Sequence, residues 1–147
     1  NFALKTLASG VDACVTVTLL DGLVLARSAF HHSMNYRSVM IFGRAERVDD
    51  PQEQYDSMVA IVEHLVPGRS ADTRLPSEIE LRKTLIVRLE LDECSAKVRT
   101  GGPIDDEEDM DLGFWAGVLP LSIVPGPPVP DVAEPVPAYL SRWSRAR

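Results

Sequence analysis

The run Ser-Ala-Phe-His-His-Ser-Met-Asn-Tyr-Arg-Ser-Val-Met-Ile-Phe-Gly from Ser28 to Gly43 holds His31 and His32, two of the chain's three histidines. Ser33, Tyr36 and Arg37 follow within five residues of the second, and Ser38 comes next. Imidazoles bind metals and move protons, but neighbouring side chains of an extended strand point to opposite faces. A two-histidine metal centre therefore requires a bend here, and no third ligand lies nearby in sequence. The acidic run Asp105–Asp109 offers carboxylates but reads as a solvated loop, so no metal is expected. Nucleophilic catalysis finds no better support. There is no G-x-S-x-G elbow beside Ser33, and Cys14 has no flanking base. No catalytic residue is assigned.

A ligand cradle asks less of the geometry. Ser33, Tyr36, Arg37 and Ser38 bring hydroxyl and guanidinium donors suited to a phosphate or to the polar edge of a ring system. The plainer reading is that they decorate the start of a strand. Lys97 and Arg99, two residues apart on one strand face, read either as an anion-binding pair or as exposed charges. In Phe114-Trp-Ala-Gly-Val-Leu-Pro120, Trp115 offers a flat face beside a small Ala-Gly pair, or fills a core.

The elements that must position these groups follow from periodicity. Val15, Val17 and Leu19 alternate with Thr16 and Thr18, a strand over Ala13–Leu20. Asp21-Gly22 reads as a hairpin turn, with a returning strand over Leu23–Ser28. A long strand is predicted from about Tyr36 to Val48, with Gly43 at a bulge or close approach. Asp50-Pro51-Gln52-Glu53 combines a cap, a first-turn proline and a capping-box glutamate. The helix it opens carries Tyr55, Met58, Val59, Val62, Leu65 and Val66 on one face and stops at Pro67-Gly68. A short helical turn at Pro76–Glu80, strands over Thr84–Leu91 and Cys94–Thr100, and a Pro-rich tail complete the reading. About five strands in hairpin-like succession around one long helix imply a small, mainly antiparallel barrel with accessory helices.

With 147 residues and 45% apolar composition, the chain has the size of one soluble domain. A net charge of -7 argues against nucleic acid as a partner, and no apolar run is long enough for a membrane span. Cys14 and Cys94 form no C-x-x-C pair and are expected as buried thiols of a reduced, cytoplasmic protein. The chain opens without Met inside a helix that Gly10 closes, so further residues are expected upstream of Asn1.

The segment Asp21–Ala45, with Ser95-Ala-Lys-Val-Arg-Thr-Gly101 and Trp115-Ala-Gly-Val-Leu-Pro120 in the expected order, resembles the pyridoxamine-phosphate-oxidase-related FMN-binding split barrels. The branch it is most similar to includes the nitroimidazole-resistance reductases. The resemblance spans residues 1–121 and leaves 122–147 as a Pro-rich tail. It implies a Greek-key, largely antiparallel split barrel whose N-terminal strands would precede this chain. It also implies a homodimer with FMN at the subunit interface. By carry-over, His32, Ser33, Tyr36 and Ser38 run past the flavin, Lys97 is a further binding residue, and Trp115 walls the pocket. The function implied is an FMN-dependent oxidoreductase acting on a small organic substrate, by nitroaromatic reduction or vitamin-phosphate oxidation. The alternative is a flavin- or haem-binding carrier or sensor in which His31 or His32 ligates the iron.

Overall fold

The computed structural model describes residues 2–131 and 133–143. Six strands occur among them: β1 (Asp12–Leu25), β2 (Ser33–Arg44), β3 (Glu46–Arg47), β4 (Val87–Arg88), β5 (Glu93–Arg99) and β6 (Gly117–Pro120). The α-helices are α1 (Phe2–Leu7), α2 (Pro51–Leu65) and α3 (Glu78–Lys83). The chain divides into two compact units. One comprises Asp12–Gly43 with Glu90–Ser122, the other Asn1–Val11, Arg44–Leu89 and Ile123–Arg147.

The first unit is a four-stranded sheet in the order β5-β2-β1-β6. Antiparallel pairing sets Tyr36 opposite Arg99 and Ser38 opposite Lys97 between β2 and β5, and Leu25 opposite Gly117 between β1 and β6. Asp21-Gly22 makes no turn: β1 runs straight through both residues, so the two strands expected here are one. Glycine is needed there for a different reason. A Cβ on Gly22 would stand 3.0 Å from Val118 Cγ1 and 3.2 Å from the Leu119 carbonyl oxygen, where β6 crosses close to β1. Asp21 keeps its strand conformation and uses its carboxylate to accept two hydrogen bonds from Arg37, each 2.9 Å.

Period-2 alternation divides the sheet into two faces. Tyr36, Ser38, Met40, Lys97 and Arg99 share one; Arg37, Val39, Cys94 and Val98 share the other. The Thr18 and Ser38 hydroxyls, 2.8 Å apart, carry the first face across to β1. Apolar side chains stand exposed on both faces, including Val17, Val39, Met40, Phe42 and Val98. The buried apolar residues of this unit are Val24 and Ala26, where β6 covers the end of β1. Cys14 and Cys94 are accordingly exposed rather than buried, because the sheet surfaces that hold them are uncovered.

The second unit is held by caps and ion pairs. Asp50 accepts from the Glu53 backbone N–H at 2.7 Å and Pro51 opens α2. The Glu53 carboxylate turns to Arg88 at 3.0 Å. The box expected at Asp50 is instead found complete one helix later, where Ser77 and Glu80 cap α3 reciprocally. This helix extends past the predicted turn to Lys83, and Thr84 closes it by donating to the Glu80 carbonyl. The strand expected over Thr84–Leu91 shrinks to β4, and β4 pairs with β3 rather than with β5. Among the described residues of this unit, Ala45 and Val48 are the buried apolar side chains. Gly10, at φ 76°, ends α1 as the sequence implied. Pro125–Pro137 forms no regular element among the described residues. Beyond it, the Trp143 indole donates to the Leu65 carbonyl at 2.7 Å, and the Tyr139 ring lies 3.7 Å from the position of a Cβ on Gly68. No helix among the described residues is long and apolar enough to cross a membrane.

Candidate functional site

The antiparallel order brings the end of β1, the start of β2, the end of β5 and the start of β6 to one end of the sheet. Between β1 and β2 the chain makes a 3-10 turn, Ala29–His31, where an unbroken strand would have separated the histidines. Ser28 builds this turn. Its hydroxyl accepts from the Phe30 N–H at 3.3 Å and its carbonyl accepts from the His31 N–H at 3.1 Å. The same carbonyl lies 3.0 Å from His32 Nδ1. A carbonyl only accepts, so Nδ1 carries the proton and Nε2 presents a free lone pair. The imidazole is exposed, whereas the Phe30 ring packs edge-on against the neighbouring His31, with centroids 5.3 Å apart.

A second loop is fastened to this corner by Asp105. Its carboxylate, 1% exposed, accepts from the Arg27 and Ser28 backbone N–H groups at 2.8 and 3.3 Å and from Arg27 Nη1 at 3.0 Å. Burial alone would raise its pKa. The Arg27 guanidinium and the two N–H donors outweigh burial and hold it below the ordinary value. The clamp sets the next carboxylate, Asp106, 3.1 Å from His31 Nε2. Asp109 completes a group of three metal-ligating side chains with donor atoms within 4.8 Å of one another. The bend that a metal reading required is thus present, and two carboxylates of the acidic run lie close to His31.

Around the corner on β2, Ser33 opens the strand, and Tyr36, Ser38 and Lys97 fall on one face with Arg99. No ion pair to Lys97 and no hydrogen bond to the Tyr36 hydroxyl is made among the described residues. Ser38 is engaged with Thr18. Arg37, read as a cradle donor, is committed to Asp21 on the opposite face, and that hydrogen-bonded pairing lowers the Asp21 pKa and raises its own. Asn35 went unnoticed in the sequence, yet it is buried and organises the strand ends. It donates to the Gly101 carbonyl at 3.0 Å and accepts from Arg99 at 2.6 Å. Its alternation with Tyr36 was the only available signal.

Trp115 lies just before β6, on the far side of β1 from Tyr36, two strand spacings or roughly 10 Å across the sheet. It is 68% exposed and is no core residue. Its ring lies close to Gly117, where a Cβ would come within 2.8 Å of Cζ2, so the small residue makes room for Trp115 itself. A cavity of about 380 Å³ lies in the other unit, between Met58, Val59 and Val62 of α2 and Leu75, with Arg74 and Glu80 at its rim. None of the site candidates read from the sequence lines it, although the apolar face expected for α2 does.

Comparison with known proteins agrees with this architecture. The family model described as pyridoxamine 5'-phosphate oxidase matches residues 3–98. The chain belongs to the pyridoxamine 5'-phosphate oxidase-like family, and its mainly β, antiparallel fold is that of the split barrels. The flavocytochrome Anf3 from Azotobacter vinelandii is similar in structure at a TM-score of 0.89 and 39% identity, covering 99% of this chain and 70% of that one. The FAD- and haem-binding protein from Mycobacterium smegmatis is similar at a TM-score of 0.90 and 37% identity, covering 98% and 73%. No curated protein matches the chain.

Proposed function

We propose that this protein is a flavin-binding redox protein that also takes a haem and passes electrons between the two. The observation that carries this reading is His32. Its Nδ1 proton is held by the Ser28 carbonyl, which leaves Nε2 oriented and free, the way proteins present imidazole to iron. Phe30 and Met34, each two residues away in sequence, are exposed apolar side chains in the same short segment. The two solved relatives, named as a flavocytochrome and as an FAD- and haem-binding protein, support the same assignment. They favour it over a flavin-only oxidoreductase.

Tyr36, Ser33, Ser38 and Lys97 supply donors for the polar edge or phosphate of a flavin nucleotide, and the exposed indole of Trp115 supplies a wall for its ring system. The flavin and the haem bring the electron chemistry; the side chains bind, orient and exclude water. The motif resemblance favours FMN, whereas one relative's name specifies FAD. A second copy of the chain covering the apolar sheet faces would make the protein a homodimer with its cofactors near the interface. The electron acceptor in this reading is a small organic molecule in the cytoplasm. Nitroaromatic reduction rests on the Asp21–Ala45 motif alone.

The visible spectrum tests the reading. The purified protein, supplied with flavin and hemin, is expected to show both flavin bands and a Soret band. The His32→Ala variant should lose or shift the Soret band and keep the flavin. Absence of a Soret band in the parent protein, or an unchanged one in the variant, overturns the haem assignment. Absence of flavin uptake overturns the whole reading.

A further inference from the structure

We propose that His31, Asp106 and Asp109 form a binding site for a divalent cation of the zinc type, separate from the flavin and haem reading and independent of it. Their donor atoms lie within 4.8 Å of one another. Tetrahedral coordination at the 2.0–2.2 Å usual for zinc requires separations of roughly 3.3 Å, which small side-chain rotations supply. One imidazole and two carboxylates make a mixed nitrogen and oxygen set of borderline softness. Three protein ligands leave a fourth position for water.

Three features of the chain assemble this set. The buried Asp105 clamp ties the acidic loop to Arg27 and Ser28, immediately before the histidine turn. Asp106 flanks the 3-10 turn Glu107–Asp109 but does not cap it with its side chain, so its carboxylate is free to face His31. The Asp109 N–H donates to the Asp106 carbonyl, and residues three apart eclipse in a 3-10 turn, which stacks the two carboxylates on one side.

Charge supplies the argument for a cation. Asp105 is neutralised by Arg27, and among the described residues Asp106 pairs with no Lys or Arg and Asp109 with no cation at all. Two carboxylates thus lie near His31, at 24% side-chain exposure, which pairs with Asp106 and leaves Asp109 uncompensated among the described residues. A divalent ion taking the Nε2 lone pair compensates both carboxylates at once.

The test is zinc titration of the full-length protein after chelator treatment, by calorimetry, with X-ray absorption on the zinc-loaded sample. One equivalent of Zn2+ per chain is expected, with a single imidazole among oxygen ligands. Separate His31→Ala and Asp109→Asn substitutions should each weaken binding about tenfold or more, while His64→Ala leaves it unchanged. Circular dichroism establishes that the variants fold, and the isosteric Asp109→Asn change keeps the test available if His31→Ala does not. No saturable binding, meaning a simple imidazolium–carboxylate pair, overturns the proposal. So does binding that survives both substitutions, or that is lost in His32→Ala but not in His31→Ala. Flavin and haem content plays no part in these readouts, so either reading can fail alone.

Discussion

The two units of the chain treat their polar groups in opposite ways. In the helical unit, Arg47, Arg69, Arg74, Arg82 and Arg88 each meet a carboxylate. Its helices α2 and α3 are side-chain capped at their N-termini, and the rim of its cavity is closed by the Arg74–Glu80 pair at 2.7 Å. That pairing and the Ser77 donors drive the Glu80 carboxyl far below its usual range. In the sheet unit, the Asp105 clamp and the Arg37–Asp21 pair are similarly complete. Among the described residues, His32 Nε2, the Tyr36 hydroxyl and Lys97 of this unit meet no comparable protein partner, and Trp115 is 68% exposed. The helical unit commits these arginines to carboxylates, whereas the sheet unit leaves several polar groups open. The difference is the reason the proposed binding groups lie at the sheet end and not at the cavity of the helical unit.

The contrast can be broken most strongly at Asp105. Asp105→Asn leaves Arg27 facing a neutral, weaker acceptor in a buried position, and should produce the largest fall in thermal midpoint of any single change discussed here. The pH dependence has a definite sign. The folded pKa lies below the ordinary value of 3.8, so the stabilisation is complete above that value and is lost as pH falls through the lower folded pKa. Acid unfolding of Asp105→Asn followed by circular dichroism should therefore show a flatter dependence on pH below about 4 than the parent protein, with the part owed to Asp21 remaining.

A smaller loss is expected in the helical unit. Asp50→Ala removes the acceptor for the Glu53 N–H at the start of α2 and should cost about 1 kcal/mol in urea unfolding. It should leave cofactor binding at the sheet end unaffected. The smallest effect on stability belongs to Trp115→Ala, roughly 0.5 kcal/mol or less for so exposed a side chain. Flavin affinity should drop about fivefold in the same variant, as expected for one lost aromatic contact. Substantial unfolding there would remove the distinction between open and self-satisfied groups.

Much of this was legible residue by residue. Local signals with a local cause were reliable: Asp50-Pro51 opens α2 and Gly10 ends α1 because caps and glycine conformations depend on a few adjacent atoms. The alternation of Cys94–Arg99 correctly grouped Lys97 with Arg99 because strand geometry has a fixed period. The errors arose where a distant partner decided. Asp21-Gly22 has turn chemistry, but β6 passing beside Gly22 keeps the strand extended. Cys14 and Cys94 sit in apolar strands but are exposed. The paired histidines were read as strand residues, and the turn that Ser28 builds takes them out of that geometry.

By itself, the sequence determined the element boundaries set by capping, the two-faced character of the strands, and the cluster of site-capable residues between Ser28 and Ser38. It also carried the family motifs. Tertiary structure decided which of those groups are free. Arg37 is withdrawn by Asp21, Asp105 by Arg27, and His31 is joined to a carboxylate 75 residues away. A side chain's chemical type is local information. Whether its lone pair or proton is already spoken for depends on what folding brings within about 3 Å of it.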